Sequence, residues 1–240
     1  MKLKIMTYNV QHCQNFMTGK IDFDAVADEI RKSGADIVGL NEIRGADLRG
    51  YNPEYESQAA ILGAKLGYYP FFASAYLFEG GYCPYGNAFL SRYPIKKAEV
   101  VPVPDPAVRK YDGYYETRCL LKAILDVNGK ELTVCVIHFG LNPDEHENAA
   151  ATVMAQISDT SCVLMGDFNI TPENALLNPI RGTMLDTASF TSDALLTFPS
   201  DTPDRKIDYI FVGKDMTVKS VCVPDTKVSD HRPIVTDIEW

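Results

Sequence analysis

Six apolar runs in this sequence end on, or start from, residues that can ligate a cation, move a proton or hold an oxyanion. Asn9 follows Ile5-Met6-Thr7-Tyr8, Glu42 follows Ile37-Val38-Gly39-Leu40-Asn41, and His138 follows Val134-Cys135-Val136-Ile137. Asp167 and Asn169 follow Val163-Leu164-Met165-Gly166, Asp208 precedes Tyr209-Ile210-Phe211-Val212, and Asp230-His231 precede Pro233-Ile234-Val235. The set holds four carboxylates, two imidazoles and two carboxamides. Such an oxygen-rich group suits a hard cation, Mg2+ or Mn2+, which takes one or two carboxylates, waters and substrate phosphate oxygens. Zinc would ask for more His or Cys. One Asp at a strand end is most simply a turn or capping residue. Charge at the mouth of a buried strand is costly unless paired or metal-bound, so six such positions together point to a site, though not yet to a reaction.

These residues need strands that end at one rim. Residues 2–10 read as a strand. A helix follows, with Asp22 as N-cap, Phe23, Val26, Ala27 and Ile30 at helical spacing, and Gly34 as the stop. A short β-rich run over 36–40 then ends on Asn41-Glu42. Strand, helix, strand suggests a layered α/β fold that brings Asn9 and Glu42 to the same rim. A second helix is expected over 55–66, and aromatic or β-branched strands over 68–75, 87–91, 95–103, 120–127 and 131–138. Asn128-Gly129 between the last two is a type I′ hairpin signal, because that turn needs positive φ at both positions. A third helix is expected over 144–158, and strands over 162–165, 207–212, 218–223 and 234–238.

The chain has 240 residues and a formal net charge of −9, with 46% hydrophobic and 23% charged residues. That composition excludes a disordered or fibrous chain. No linker tract, low-complexity segment or repeat divides the sequence, so residues 1–240 are expected to form one domain with mixed, largely antiparallel sheets. No window approaches the ~18 apolar residues of a membrane span, and the N-terminus lacks the apolar stretch of a signal peptide. The six cysteines, without CxxC pairing, read as reduced thiols in a cytoplasmic protein: Cys119, Cys135, Cys162 and Cys222 in apolar stretches, Cys13 and Cys83 near loops. The acidic balance disfavours tight nonspecific nucleic-acid binding, which draws on a Lys/Arg surface.

In order along the chain stand Thr7-Tyr8-Asn9-Val10, Leu40-Asn41-Glu42-Ile43 and Tyr85-Gly86-Asn87-Ala88-Phe89-Leu90-Ser91-Arg92. Gly166-Asp167-Phe168-Asn169, Ile207-Asp208-Tyr209-Ile210 and Ser229-Asp230-His231-Arg232-Pro233 follow. This ordered set resembles the endonuclease/exonuclease/phosphatase superfamily, which includes pancreatic-type deoxyribonucleases, abasic-site endonucleases, neutral sphingomyelinases, inositol polyphosphate phosphatases and deadenylases. The likeness runs from residue 5 to about 238. It implies a deoxyribonuclease-like four-layer α/β sandwich, two mixed sheets face to face with helices outside, and metal-dependent cleavage of a phosphoester. By the same resemblance Glu42 is the main metal ligand, supported by Asn9 and Asp230. Asp167 positions or deprotonates the attacking water, Asn169 orients it, and His231 contacts the phosphoryl oxygen, held in its tautomer by Asp208. His138 stands where the deoxyribonuclease-like branch places a second His, a candidate acid for the leaving group. Arg118 is a candidate phosphate clamp and Asn87 a candidate substrate-side amide.

Other residues weigh less. His12 reads as loop decoration near the rim, and His146 as a solvated helix face. Lys96-Lys97 reads as a protected strand edge, whereas Arg205-Lys206, just ahead of Asp208, is placed where it could touch substrate. The aromatics Tyr68, Tyr69, Phe71, Phe72, Tyr76 and Phe78 read as core, and Tyr111, Tyr114 and Tyr115 as better candidates for substrate contact. The expected activity is a Mg2+- or Mn2+-dependent phosphoester hydrolase, monomeric, acting on a small or lipid-type phosphodiester or phosphomonoester. DNA or RNA cleavage is the alternative, and a non-catalytic binding protein on the same fold is a remote one, because no member of the polar set is missing. The inositol polyphosphate branch fits less well, since Pro203-Asp204-Arg205-Lys206-Ile207-Asp208 lacks that branch's Trp-Cys-Asp-Arg pattern.

Overall fold

The computed structural model describes residues 1–240 apart from 51–55 and 79. The first strands follow the expected order: β1 (Lys2–Asn9), α1 (Phe23–Ser33) and β2 (Ile37–Arg44). Asp22 caps α1 by accepting from the Ala25 N–H at 2.9 Å, and Gly34 ends it in the left-handed region. Next come α2 (Gln58–Leu66), β3 (Tyr69–Phe78), β4 (Cys83–Ser91), β5 (Ile95–Pro102), β6 (Cys119–Val127) and β7 (Lys130–His138). The start expected for the second helix, at residue 55, lies outside the described residues. Asn128 and Gly129 both take positive φ between β6 and β7, as the hairpin requires. The chain continues with α3 (Pro143–Met154), β8 (Cys162–Asp167), α4 (Leu177–Thr183), β9 (Leu185–Asp186), β10 (Asp208–Val212), β11 (Thr217–Cys222) and β12 (Ile234–Glu239).

Two six-stranded mixed sheets result, ordered β11-β12-β1-β2-β4-β3 and β5-β6-β7-β8-β10-β9. Each has one parallel pair near its centre, β1 with β2 and β7 with β8, while their other pairings are antiparallel. The sheets stack through Ile5, Ile37, Phe89, Leu121, Val134, Val136, Met165 and Ile210. Outside the first sheet, Met6, Tyr8, Val38 and Leu40 pack with Val26 and Ile30 of α1 and Leu62 of α2. Outside the second, Ile137, Leu164, Tyr209 and Phe211 pack with Ala149 and Val153 of α3 and Leu177 and Ile180 of α4. The central strands are therefore buried on both faces, which is why their sequences run apolar rather than alternating. Each large side chain so buried contributes about 1.5–3 kcal/mol. Gly39 marks a close approach of the sheets, because a Cβ there would stand 2.6 Å from Met165 Sδ.

Several expectations need correcting. Helix α3 stops at Met154 rather than 158, and neither α4 nor β9 was foreseen. Cys222 is exposed and Cys83 is buried, because β11 lies at a sheet edge whereas Cys83 opens β4 between β2 and β3. Tyr69 is half exposed on edge strand β3 rather than in the core. His146 is buried, its Nε2 2.9 Å from the Gly140 carbonyl and its ring beside Phe139, because α3 lays that face on the loop after β7. Lys96, on edge strand β5, pairs with Asp126 and Glu131. No helix among the described residues is long and apolar enough to cross a membrane.

Candidate active site

The parallel pairs β1/β2 and β7/β8 deliver Asn9, Glu42, His138 and Asp167 to one rim, and β10, antiparallel to β8, starts there with Asp208 opposite Asp167. Two local distortions aim side chains inward. In β2 the register shifts between Leu40 and Ile43, and Glu42 takes φ +59°. Such a bulge re-aims a side chain that regular pleating would send elsewhere. Asn169 likewise takes φ +51° just after β8, and strain of this kind persists where the surroundings over-determine it. Gly166 admits no side chain, because a Cβ would collide with the Ile137 carbonyl.

The 229–233 segment closes the rim. Ser229 Oγ donates to the Asn9 carbonyl at 2.8 Å, the Ser200 N–H to the Asp230 carbonyl at 2.7 Å, and the Arg232 N–H to the Thr197 carbonyl at 2.7 Å. The Phe198 ring packs 4.7 Å from the His231 ring. Together these contacts hold Asp230 and His231 against the ends of β1 and β8.

A cleft of about 340 Å³ opens between these ends. Seven of the ten expected site residues line it: Glu42, Arg118, His138, Asp167, Asn169, Asp230 and His231. Asn9 and Asp208 stand directly behind. The Asn9 amide donates to Glu42 Oε1 and to Asp167 Oδ2, each at 3.0 Å, joining the two sheets. Asp208 Oδ2 lies 2.9 Å from His231 Nδ1, while its Oδ1 is buried without a partner. Asn87 is not on the substrate side. Its Oδ1 accepts from Asn41, and its amide donates to the Cys119 carbonyl at 2.8 Å, so both ends are used beneath the cleft. Lys206 does not reach substrate either: it is buried, donating to the Asp208 carbonyl at 2.8 Å.

Asn41 was read in the sequence only as part of the Leu40-Asn41-Glu42-Ile43 run, with no role of its own. Fully buried, it donates to Asn87 Oδ1 at 2.8 Å and to the Ile137 carbonyl at 2.9 Å, and accepts from the Asp167 N–H at 2.9 Å. One side chain thus ties β2 to β4, β7 and β8 below the site. Tyr85, Glu116, Leu141 and Phe198, also on the cleft wall, carried no signal beyond residue type.

The two imidazoles sit in opposite charge states. Burial alone would push His231 down, but the charges of Asp208 and then Asp167, with the Asp208 hydrogen bond, raise it to about 10. His138 is pushed well below 6.5 by burial, by Arg118 and by His231. Donor groups approach both of its ring nitrogens, Arg118 Nη1 at 3.2 Å from Nδ1 and the Asn169 amide at 3.2 Å from Nε2, which further disfavours an imidazolium. A neutral His138 does not suit the leaving-group acid foreseen for it. Asp167 is raised to about 7, by burial first; the Asp208 charge also raises it, while His231, the Asn169 N–H and the Asn9 amide pull it back. Paired groups with pKa values pushed apart mark acid and base assignments.

Asp167, Asp208 and His231 bring potential ligand atoms within 4.8 Å of one another. Protonated His231 already supplies the cation of that cluster. Glu42 and Asp230 are the better cation donors. Asp230 is raised by burial and by the Glu42 charge, and no Lys or Arg among the described residues forms an ion pair with either. Two carboxylates facing one cleft match the donor set of a hard divalent ion, and Asn9 supports them rather than ligating, since its NH2 holds Glu42 and its Oδ1 accepts from the Gln11 N–H at 3.1 Å.

The architecture and its rim define a deoxyribonuclease-like four-layer sandwich with an acid–imidazole site. Residues 6–231 match the Endonuclease/Exonuclease/phosphatase family, and the chain belongs to that family. The uncharacterised protein YbhP of Escherichia coli K12 is 26% identical over an alignment of 259 residues, spanning 98% of this chain and 95% of that one. The structure of an endonuclease/exonuclease/phosphatase from Beutenbergia cavernae superposes with a TM-score of 0.80 at 24% identity, covering 99% of this chain and 71% of that chain. The mannosyl-6-phosphatase Bt3783 of Bacteroides thetaiotaomicron superposes with a TM-score of 0.78 at 16% identity, covering 99% of this chain and 100% of that chain. At these identities the two structures share the fold. Members of the family are in general phosphoester hydrolases.

Proposed function

We propose that this chain is a divalent-metal-dependent hydrolase of small phosphoesters. The observation that carries the reading is the cationic His231, clamped by Asp208 at 2.9 Å and set 3.6 Å from Asp167 Oδ2 on the cleft wall. A phosphoryl group seated over that pair meets a positive donor at one oxygen, while Asp167, poised near 7, accepts a proton from the attacking water. The Asn9 and Asn169 amides hold the Asp167 carboxylate from behind, the latter through its backbone N–H at 2.9 Å to Oδ1. Arg118 binds a second phosphoryl oxygen or the leaving group. A divalent ion held by Glu42 and Asp230, with Asn9 orienting Glu42, would supply the charge that neutralises the phosphoryl oxygens.

The preference for a small substrate rests on charge. Glu42, Glu116, Asp167 and Asp230 share the cleft wall with one arginine, Arg118, whose Nη2 is 2.7 Å from Glu116. A duplex is held by phosphate contacts from Lys and Arg, and this wall offers few. The fold kinship with a mannosyl-6-phosphatase is consistent with a small phosphoester. The chain is further proposed to act as a monomer, in the cytoplasm, where its five buried free thiols suit a reducing compartment.

The test is a hydrolysis panel in Mg2+ or Mn2+ with a chelator control. It covers nitrophenyl phosphate, bis(nitrophenyl) phosphate, hexose and inositol phosphates, sphingomyelin, single-stranded and abasic DNA, and RNA. Turnover of small esters that the chelator abolishes is the expected result. Activity that survives the chelator would remove the metal, and preferential cleavage of DNA would overturn the substrate class.

A further inference from the structure

Among the cleft-wall side chains that catalysis does not use, two stand well out in solvent. Tyr114 is 66% exposed and Leu141 55% exposed, yet both line the cleft together with His138 and Arg118. Exposed apolar side chains on loops are ordinary when the loops are loose. These loops are fastened. The Asn142 amide donates to the Tyr114 carbonyl at 2.8 Å and fills the space beside Gly113, where a Cβ would collide with it. Tyr115 OH donates to Asp144 Oδ2 at 2.9 Å while accepting from the backbone of Lys110 and Tyr111 at 3.1 Å. Glu145 accepts from the N–H groups of Glu116, Leu141 and Asn142 at 3.1–3.2 Å. The first turn of α3 thereby locks both loops to one support.

A rigid, exposed aromatic beside the catalytic groups is a preorganised platform for a flat ring. Resting on the proposed hydrolase reading, we infer that Tyr114 and Leu141 form the leaving-group subsite, and that it takes the ring of a ring-bearing phosphoester, such as a sugar or nucleoside phosphate. An acyl chain fits less well. The exposed apolar surface is one aromatic and one aliphatic side chain, bordered by Glu116 and Arg118, whose polar atoms meet ring hydroxyls or ring nitrogens. The cleft, at about 340 Å³, lies at the small end of the ~300–1,000 Å³ span of ligand sites.

The experiment is calorimetric binding of non-hydrolysable phosphonates in Mn2+, which reads the subsite without turnover. Phenylphosphonate should bind wild type about five- to tenfold more tightly than methylphosphonate. Tyr114→Ala should erase that preference with methylphosphonate affinity unchanged, and Tyr114→Phe should keep it. A wild type with no ring preference, or a Tyr114→Ala variant that retains it, overturns the subsite. Tighter binding of hexylphosphonate than of phenylphosphonate would instead assign the wall to a lipid chain and also overturns it. Equal losses on both phosphonates would make Tyr114 a structural residue and refute the inference. Glucose 6-phosphate and adenosine monophosphate, run as inhibitors of phenyl phosphate hydrolysis, separate the sugar from the base. Phenyl phosphate hydrolysis itself reports on the hydrolase reading, so a failure there is distinct from a failure of the subsite.

Discussion

Replacing Asp208 by Asn tests the electrostatic heart of the site. The Asn carbonyl can still accept from His231 Nδ1, so the hydrogen bond survives and the charge is removed. His231 is held at about 10 against an ordinary 6.5, and Asp208 is the largest of the influences that raise it. A group whose folded pKa is raised stabilises the fold fully below 6.5, and that stability is lost as pH rises through about 10. At about pH 7.5, 2.5 pH units below the folded value, the charge contributes about 3 kcal/mol. Without Asp208, burial opposes the charge with only Asp167 and Asp230 left to raise it, so His231 falls well below its wild-type value and most of that contribution is lost. The Asn amide nitrogen also meets the pocket where Asp208 Oδ1 already lacks a partner; this cost, about 1–3 kcal/mol, does not vary with pH. Buried Lys206, lowered to about 7 by burial, tilts stability the opposite way between about 7 and 10.5; Asp208 is one of the charges that hold it up, so the variant pushes Lys206 further down, below the pH range of the assay. The assay is urea unfolding of wild type and Asp208→Asn in excess chelator at about pH 7.5 and 10.5. The difference in stability should narrow by about 3 kcal/mol at the higher pH. A difference that stays constant to within about 1 kcal/mol would refute the reasoning, as would a His231 NMR titration in the variant still centred above 9.

Asp167→Asn should lower turnover at least ~1,000-fold while leaving the thermal midpoint unchanged or raised, because it removes a buried charge that the fold keeps near neutrality; wild-type-like hydrolysis would remove Asp167 from the chemistry. Asn41→Ala should cost about 2–4 kcal/mol in urea unfolding with unchanged m, since it orphans the Asp167 N–H, the Ile137 carbonyl and Asn87 Oδ1 together; a loss under about 1 kcal/mol would show that other contacts hold the sheets in register.

The layered fold and the convergence of Asn9, Glu42, His138, Asp167, Asp208 and His231 were legible because each interrupts a strand that is buried on both faces. An apolar run stopped by a charge has few structural explanations, and the strand order brought all of these to one rim. The fate of Asn87 was not legible. A carboxamide one strand from the site reads as a substrate contact until its partner Asn41 is seen, and that pairing spans 46 residues of sequence. His146 was misjudged because flanking acids suggest a solvated face, whereas Glu145 on one side turns inward to pin the cleft loops. The charge state of His138 depends on its burial and on Arg118, 20 residues away just ahead of the neighbouring strand β6. Pattern reports which face an element buries; it does not report which polar groups meet across the two sheets.

The strand order also sets when the site can exist during synthesis. The first sheet is begun by β1 to β4 and finished only by β11 and β12, with β12 lying between β11 and β1. Until β12 docks, β1 presents an open edge and Asp230 and His231 are missing from the rim. A chain that ends before residue 230 therefore leaves β1 unpaired on the side that β12 covers and lacks both Asp230 and the imidazole that stands beside Asp167. Such a fragment presents an open strand edge at the middle of the first sheet, so the site and the sheet are completed by the same last segment.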